Sequence, residues 1–143
     1  MTVLIDTCVI IDLLQKREPF WNDAKEIFLL AANRNIKGCV SAKSVLDIYY
    51  ITHRAIHNNE AARLAVKNLT ELFMILDTSG GDCKKALLSD TADYEDAVMI
   101  ETAISNRVDA IITRNIKDYS NSRIPVYTPA DFLNIIKSKT DFQ

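Results

Sequence analysis

Thr2-Val3-Leu4-Ile5-Asp6-Thr7-Cys8-Val9-Ile10-Ile11-Asp12 opens the chain, and its reading decides the fold. Val3-Leu4-Ile5 is an apolar run of strand length that stops on a carboxylate, Asp6. Val9, Ile10, Leu13 and Leu14 then recur at roughly helical spacing. A buried strand that passes at once into a helix predicts an α/β unit. In an open α/β sheet that turn lies at the carboxyl edge, where ligands bind. Asp6 therefore has two readings: it or Thr7 caps the helix, or the strand delivers a charge to a site. Partners elsewhere in the chain must decide.

The same alternation continues downstream. Asp12 to Arg17 is expected to be the last stretch of the first helix, which Glu18-Pro19 then breaks. A second helix runs from Phe20 or Trp21 to about Asn33, on an apolar face of Trp21, Ala24, Ile27, Phe28 and Ala31. A short strand near Ile36 to Val40 leads to Ser41, a good cap for a third helix carrying Val45, Leu46, Tyr49 and Tyr50. Ala61 to Leu72 reads as a fourth helix, Phe73 to Leu76 as a strand, and Asp82 as the cap of a short helix. Another helix starts at Thr91-Ala92-Asp93. Val108 to Thr113 is a clear strand, Ile124 to Tyr127 a last one whose proline favours a sheet edge, and Ala130 to about Lys137 the final helix. Short apolar strands alternating with helices predict a three-layer α/β/α fold around a parallel sheet. No repeat or linker divides the chain, so residues 1–143 are expected to form one domain.

Composition narrows the class. The chain is 48% hydrophobic and 25% charged, as in soluble globular proteins. No apolar run reaches bilayer length, and no basic stretch leads into an apolar one with a cleavage site. The expectation is a cytoplasmic protein without a membrane partner. Cys8, Cys39 and Cys83 are scattered, with no CxxC spacing, so neither a disulfide frame nor a zinc site is indicated. A net charge of −2 lacks the basic excess of many nucleic-acid binders. It is compatible with an acidic site that holds cations beside a local basic patch.

The carboxylates carry the chemistry. Asp6 ends the first strand. Asp93 and Asp96 share a face at the start of a helix, with Glu95 between them. Asn115 and Asp118 follow the strand that ends at Thr113, and Asp47 sits in the third helix beside its apolar stripe. If the first strand neighbours the strand ending at Thr113, these groups converge on one edge of the sheet. Clustered carboxylates repel unless a cation neutralises them. Oxygen ligands select Mg²⁺ or Mn²⁺, and such ions assist phosphodiester hydrolysis. Lys43 and Arg114, with Arg54 further along the third helix and Lys117 nearby, are the basic groups expected to hold RNA phosphates. Plainer readings stand beside these: Asp93 and Glu95 as helix-dipole partners, Asp118 as a turn residue, and Asp47, Lys43 and Arg114 as solvated charges. Three glycines and no Gly-x-Ser-x-Gly leave no room for a P-loop, a dinucleotide fingerprint or a nucleophile elbow. His53 and His57, four apart, lack the intervening glutamate of a zincin helix.

Taken together, residues 2–12, Ser41 to Tyr50, Asp93-Tyr94-Glu95-Asp96-Ala97, Ile111 to Tyr119 and Tyr127 to Leu133 resemble a PIN domain, the nuclease domain of many prokaryotic ribonuclease toxins. The resemblance implies about five parallel strands, a Mg²⁺- or Mn²⁺-dependent ribonuclease, a homodimer, and a small antitoxin partner. It makes Asp6 the first family acid and Asp96 the third. Asp47 stands where the second acid is commonly Glu, and Asn115 where the fourth is commonly Asp. Asp118 or Asp93 would then compensate for the missing charge. Thr113 matches the family hydroxyl at the strand end. Two other classes remain: a degenerate PIN scaffold that binds RNA or protein without cutting, and an aspartyl-phosphate phosphatase, which would want an acid where Cys8 stands.

Overall fold

Residues 1–140 are described by a computed structural model. The first strand is β1 (Thr2–Ile5), followed at once by α1 (Thr7–Leu14) and then by α2 (Trp21–Ala32). Next come β2 (Lys37–Ser41), α3 (Ala42–Ile56), α4 (Asn59–Leu72), β3 (Met74–Leu76) and α5 (Gly80–Ala86). The chain closes with α6 (Tyr94–Ser105), β4 (Ala110–Ile112), a 3-10 turn (Ile116–Tyr119), β5 (Val126–Tyr127) and α7 (Pro129–Thr140).

The strands form one parallel sheet in the order β3-β2-β1-β4-β5. β1 is central, and Val3, Leu4 and Ile5 are fully buried because helices cover both faces. Each such side chain contributes about 2 kcal/mol of burial free energy. Val3, Ile5, Val40, Ala110 and Ile112 face a core shared with α1, α2, α3 and α7. Leu4, Cys39, Leu76 and Ile111 face Met99, Ile100 and Ala103 of α6. These two cores are the interfaces of an α/β/α sandwich. Among the described residues, no helix is long and apolar enough to cross a membrane.

The expected elements are present, with local corrections. α1 ends at Leu14 and not at Arg17, because Lys16 takes a left-handed conformation (φ 50°) that no helix continues. Asp82 does not cap α5. Ser79 does, and Asp82 completes the capping box by accepting from the Ser79 N–H at 2.8 Å. α4 begins earlier than Ala61 because Asn58 caps it, accepting from the Ala61 N–H at 3.0 Å. β5 covers only Val126–Tyr127, directly after Pro125, at the sheet edge where a missing N–H is tolerated.

Candidate metal centre at the carboxyl edge of the sheet

The pairing of β1 with β4 sets Leu4 against Ile111 and Ile5 against Ile112. The two strands therefore end level. Asp6 follows one and Thr113 the other, and the Asp6 N–H donates to the Ile112 carbonyl at 2.9 Å. Asp6 holds the N-cap position of α1, yet its side chain makes no capping hydrogen bond. Its Oδ2 instead accepts the Thr113 hydroxyl at 2.7 Å, the Tyr119 phenol at 3.4 Å and the Cys8 thiol at 3.6 Å. All three donors meet the same oxygen, and no protein donor among the described residues meets Oδ1. The capping reading of Asp6 is thereby set aside.

Asp96 enters from the first turn of α6. Asp93 caps that helix, accepting from the Asp96 N–H at 3.1 Å. The Asp96 carboxyl is pushed up to about 6 by burial and by the negative charges of Asp93, Asp6 and Asp118, while a hydrogen bond from Tyr119 works the other way. Asp96 thus feels the charges of three other acids, Asp93, Asp6 and Asp118. Tyr119, buried at the same place, has its phenol pushed well upward by burial, Asp6 and Asp96, and stays a neutral donor. The Cys8 thiol is raised to about 11, by burial first and Asp6 second, so it also stays protonated.

A cleft of about 490 Å³ opens in front of these groups, and Asp6, Asp96, Asp47, Asn115 and Lys43 all line it. Asp47 is not free in it. Its carboxylate meets Lys43 Nζ at 2.7 Å, and the same ammonium meets Glu95 at 3.0 Å, bridging the starts of α3 and α6. Burial opposes the charge on Lys43, but the two carboxylates outweigh it and raise its pKa. Both partners are more than a third exposed, so each ion pair is worth about 1 kcal/mol or less and can open. Asn115 is exposed, and its backbone N–H donates to the Thr113 hydroxyl at 3.1 Å. Thr113 thus ties Asp6 to the loop carrying Asn115 and Asp118.

Arg114 departs from expectation. It does not present a free guanidinium for phosphate, because two hydrogen bonds at 2.6 and 3.2 Å hold it on Asp12, and it lies 4.1 Å over the Phe20 ring. Arg17 lines the cleft in its place, a residue read only as the end of the first helix. Tyr119 and Cys8 were likewise missed as partners of Asp6. Tyr119 closes the recognisable Ile111 to Tyr119 block, and Cys8 lies two residues past the acid, but nothing local says where either side chain turns. His53 and His57 do not line the cleft.

The donor set suits a hard divalent cation. It consists of carboxylate, amide and hydroxyl oxygens, with one Asp6 oxygen unclaimed and Asp96 under the charges of Asp93, Asp6 and Asp118. Among the described residues no three His, Cys, Asp or Glu side chains form a ready-made ligand cage.

No curated protein sequence matches the chain. Solved structures do. A chain of a toxin–antitoxin complex from Klebsiella pneumoniae is 25% identical, with a TM-score of 0.64 over 89% of this chain and 97% of that one. A chain of VapBC-1 from nontypeable Haemophilus influenzae is 18% identical, with a TM-score of 0.66 over 91% and 99%. PAE2754 from Pyrobaculum aerophilum is 11% identical, with a TM-score of 0.63 over 96% and 90%. The five-stranded parallel sheet between helices is thus a fold that these proteins share. A family model described as the PIN domain matches residues 2–117, which hold β1 to β4 and Asp6, Asp47, Asp93 and Asp96, with Asp118 one residue beyond, and the chain belongs to the PIN domain family.

Proposed function

We propose that this protein is a divalent-metal-dependent endoribonuclease, the toxin of a toxin–antitoxin pair. The observation that carries the reading is Asp96, whose carboxyl is lifted to about 6 by burial first and then by the charges of Asp93, Asp6 and Asp118, at the ligand-binding edge of a PIN sheet. Asp6 and Asp96 would hold Mg²⁺ or Mn²⁺, with Asp47, Asp93, Asp118 and Asn115 as further oxygen donors. When bound, such an ion lowers the pKa of water and stabilises charge building on a phosphodiester.

The chain's own groups have separate tasks. Thr113 and Tyr119 orient Asp6 through one oxygen and leave the other for the cation. Asp96 must give up its proton before it can ligate, so cation binding and proton release are coupled. Lys43 and Arg17 place positive charge in the cleft for the phosphates of RNA. The likeness to a toxin–antitoxin complex supports a small antitoxin partner. Family membership supports a homodimer, a single domain over residues 1–143, and action in the cytoplasm.

The test is cleavage of mixed RNAs by the purified protein with Mg²⁺ or Mn²⁺, beside Asp6→Asn and Asp96→Asn. Each variant is expected to lose at least about a hundredfold, as when one electrostatic group is removed from an active site. Equal cleavage by all three proteins would identify a contaminating nuclease and end the assignment.

A second reading, a PIN scaffold that binds without cutting, is favoured by the Lys43–Asp47 pair and by the neutral Asn115. Calorimetric titration with Mn²⁺ separates the two: no binding at millimolar metal supports the scaffold.

A further inference from the structure

The cleft continues past the acids. Asp6 and Asp96 stand at one end. Towards the other, Ser41 closes β2 and Thr78 follows β3. Along α6 the cleft wall passes from Asp96 through Met99 to Thr102, successive residues on one helix face. At about 490 Å³ the whole cleft has the size of a small-ligand site, for which about 300–1,000 Å³ is usual. It is larger than a hydrated cation requires.

Beside the acids stands a pair of hydroxyls, Thr78 Oγ1 and Thr102 Oγ1, 2.8 Å apart, while Asp47, one turn before Tyr50 on α3, lines the cleft paired with Lys43. Thr102 is fully buried, and its hydroxyl has no other partner among the described residues. Either hydroxyl can donate in this pair; with Thr102 as the donor, which places its buried proton, the Thr78 proton is left to donate into the cleft. Ile51 and Met99 supply apolar wall. Tyr50 also lines the cleft, and the residue is 67% exposed. An exposed aromatic ring, apolar walls and one neutral donor are what single-stranded nucleic acid uses when an unstacked base is held on an aromatic face and read at its edge. A paired base cannot enter, because its edge and both faces are already occupied.

We propose that this half of the cleft is a subsite for one unpaired nucleobase of RNA, stacked on Tyr50 with its polar edge at the Thr78 hydroxyl. The inference builds on the ribonuclease reading by naming the nucleotide that sits beside the cleaved phosphate, but base binding itself does not require cleavage.

Binding is measured by fluorescence anisotropy with short labelled RNA homopolymers of each base and with a matching RNA duplex, in EDTA so that no metal-dependent cleavage occurs. Tyr50→Ala is expected to raise Kd for single strands about tenfold, the scale of one lost base–aromatic stack. Tyr50→Phe and Tyr50→Trp restore it, which excludes a folding defect. Thr78→Val, nearly equal in volume, changes the ranking of the four bases, and Tyr50→Phe does not. With Mn²⁺, Tyr50→Ala raises KM and leaves kcat within about twofold, the mark of lost ground-state binding. Equal Kd for Tyr50→Ala and wild type, duplex binding as tight as single-strand binding, or no RNA binding would each overturn the subsite. Tyr50-dependent binding without any cleavage in Mn²⁺ keeps the subsite and removes the ribonuclease reading. Cleavage that needs Asp6 but ignores Tyr50 does the reverse.

Discussion

Asp12 and Arg114 are joined by two hydrogen bonds, at 2.6 and 3.2 Å, across 102 residues of chain. The Asp12 side chain is 1% exposed and that of Arg114 is 25% exposed. The pair pins α1 to the loop after β4, between Thr113, which holds Asp6, and Asn115, which lines the cleft. Its fork geometry suits guanidinium and carboxylate, and the Phe20 ring covers the guanidinium. It is a brace for the site and contributes no group to the cleft.

Breaking that brace from one side should be costly. Arg114→Ala leaves a buried, unpaired carboxylate, and the expected loss is about 3 kcal/mol, the lower end for such pairs because Arg114 is partly exposed. Urea unfolding with tryptophan emission reads it directly, since the one tryptophan, Trp21, adjoins Phe20. Asp12→Ala/Arg114→Ala should be less destabilised than the sum of the single variants.

The raised Asp96 carboxyl predicts a pH signature of opposite sign with and without metal. Between its unfolded value near 3.8 and its folded value of about 6, the folded state binds the extra proton. The stability it contributes is therefore full below that window and lost as pH rises through it. The metal-free Tm should fall on this account from pH 5 to 7. Mn²⁺, which requires the carboxylate, should raise Tm at pH 7 and much less at pH 5. Thermal scans of wild type and Asp96→Asn check both slopes. An unchanged slope in Asp96→Asn would assign the effect to another group.

Lys43 competes with a cation for the acids. Removing its charge in Lys43→Ala releases Asp47 and Glu95. Mn²⁺ affinity should rise about threefold at low salt, the size of one screened charge nearby, and the gain should shrink as ionic strength rises. Calorimetric titration at two salt concentrations measures it.

Cys8 should be slow to alkylate at pH 8, because its thiol titrates at about 11. The Asp6 charge is the second cause of that shift, so Asp6→Asn should accelerate iodoacetamide labelling at Cys8. Peptide mass spectrometry separates Cys8 from Cys39 and Cys83. No acceleration would mean that burial alone protects the thiol.

Gly38 permits a close approach of β2 to Phe73. A Cβ there would lie 2.5 Å from Phe73 Cδ1 and Cε1. Gly38→Ala should cost about 1–3 kcal/mol through overpacking. Gly38→Ala/Phe73→Leu should recover part of the loss, measured by chemical denaturation.

The elements were legible in the sequence because their signals are local. The uninterrupted run Val3-Leu4-Ile5 marks a strand buried on both faces, and the apolar spacing of α2 and α4 marks helices with one covered face. Ser41 reads as a cap because its oxygen reaches the N–H of Ser44, three residues on. Asp6, Asp96 and the loop after Thr113 could be nominated from their places at strand–helix junctions. The role of each side chain could not. Asp6 faces Thr113 and Tyr119, more than a hundred residues away, only because β4 docks in register beside β1. Arg114, charged and next to Asn115, reads as a phosphate ligand until the fold closes and Asp12 claims it. Lys43 reads as a free charge until α6 brings Glu95 to it. Periodicity and caps act within a few residues and survive in one dimension. Ion pairing, burial and a shifted pKa depend on which distant groups the parallel crossovers bring together, and the tertiary structure alone decides them.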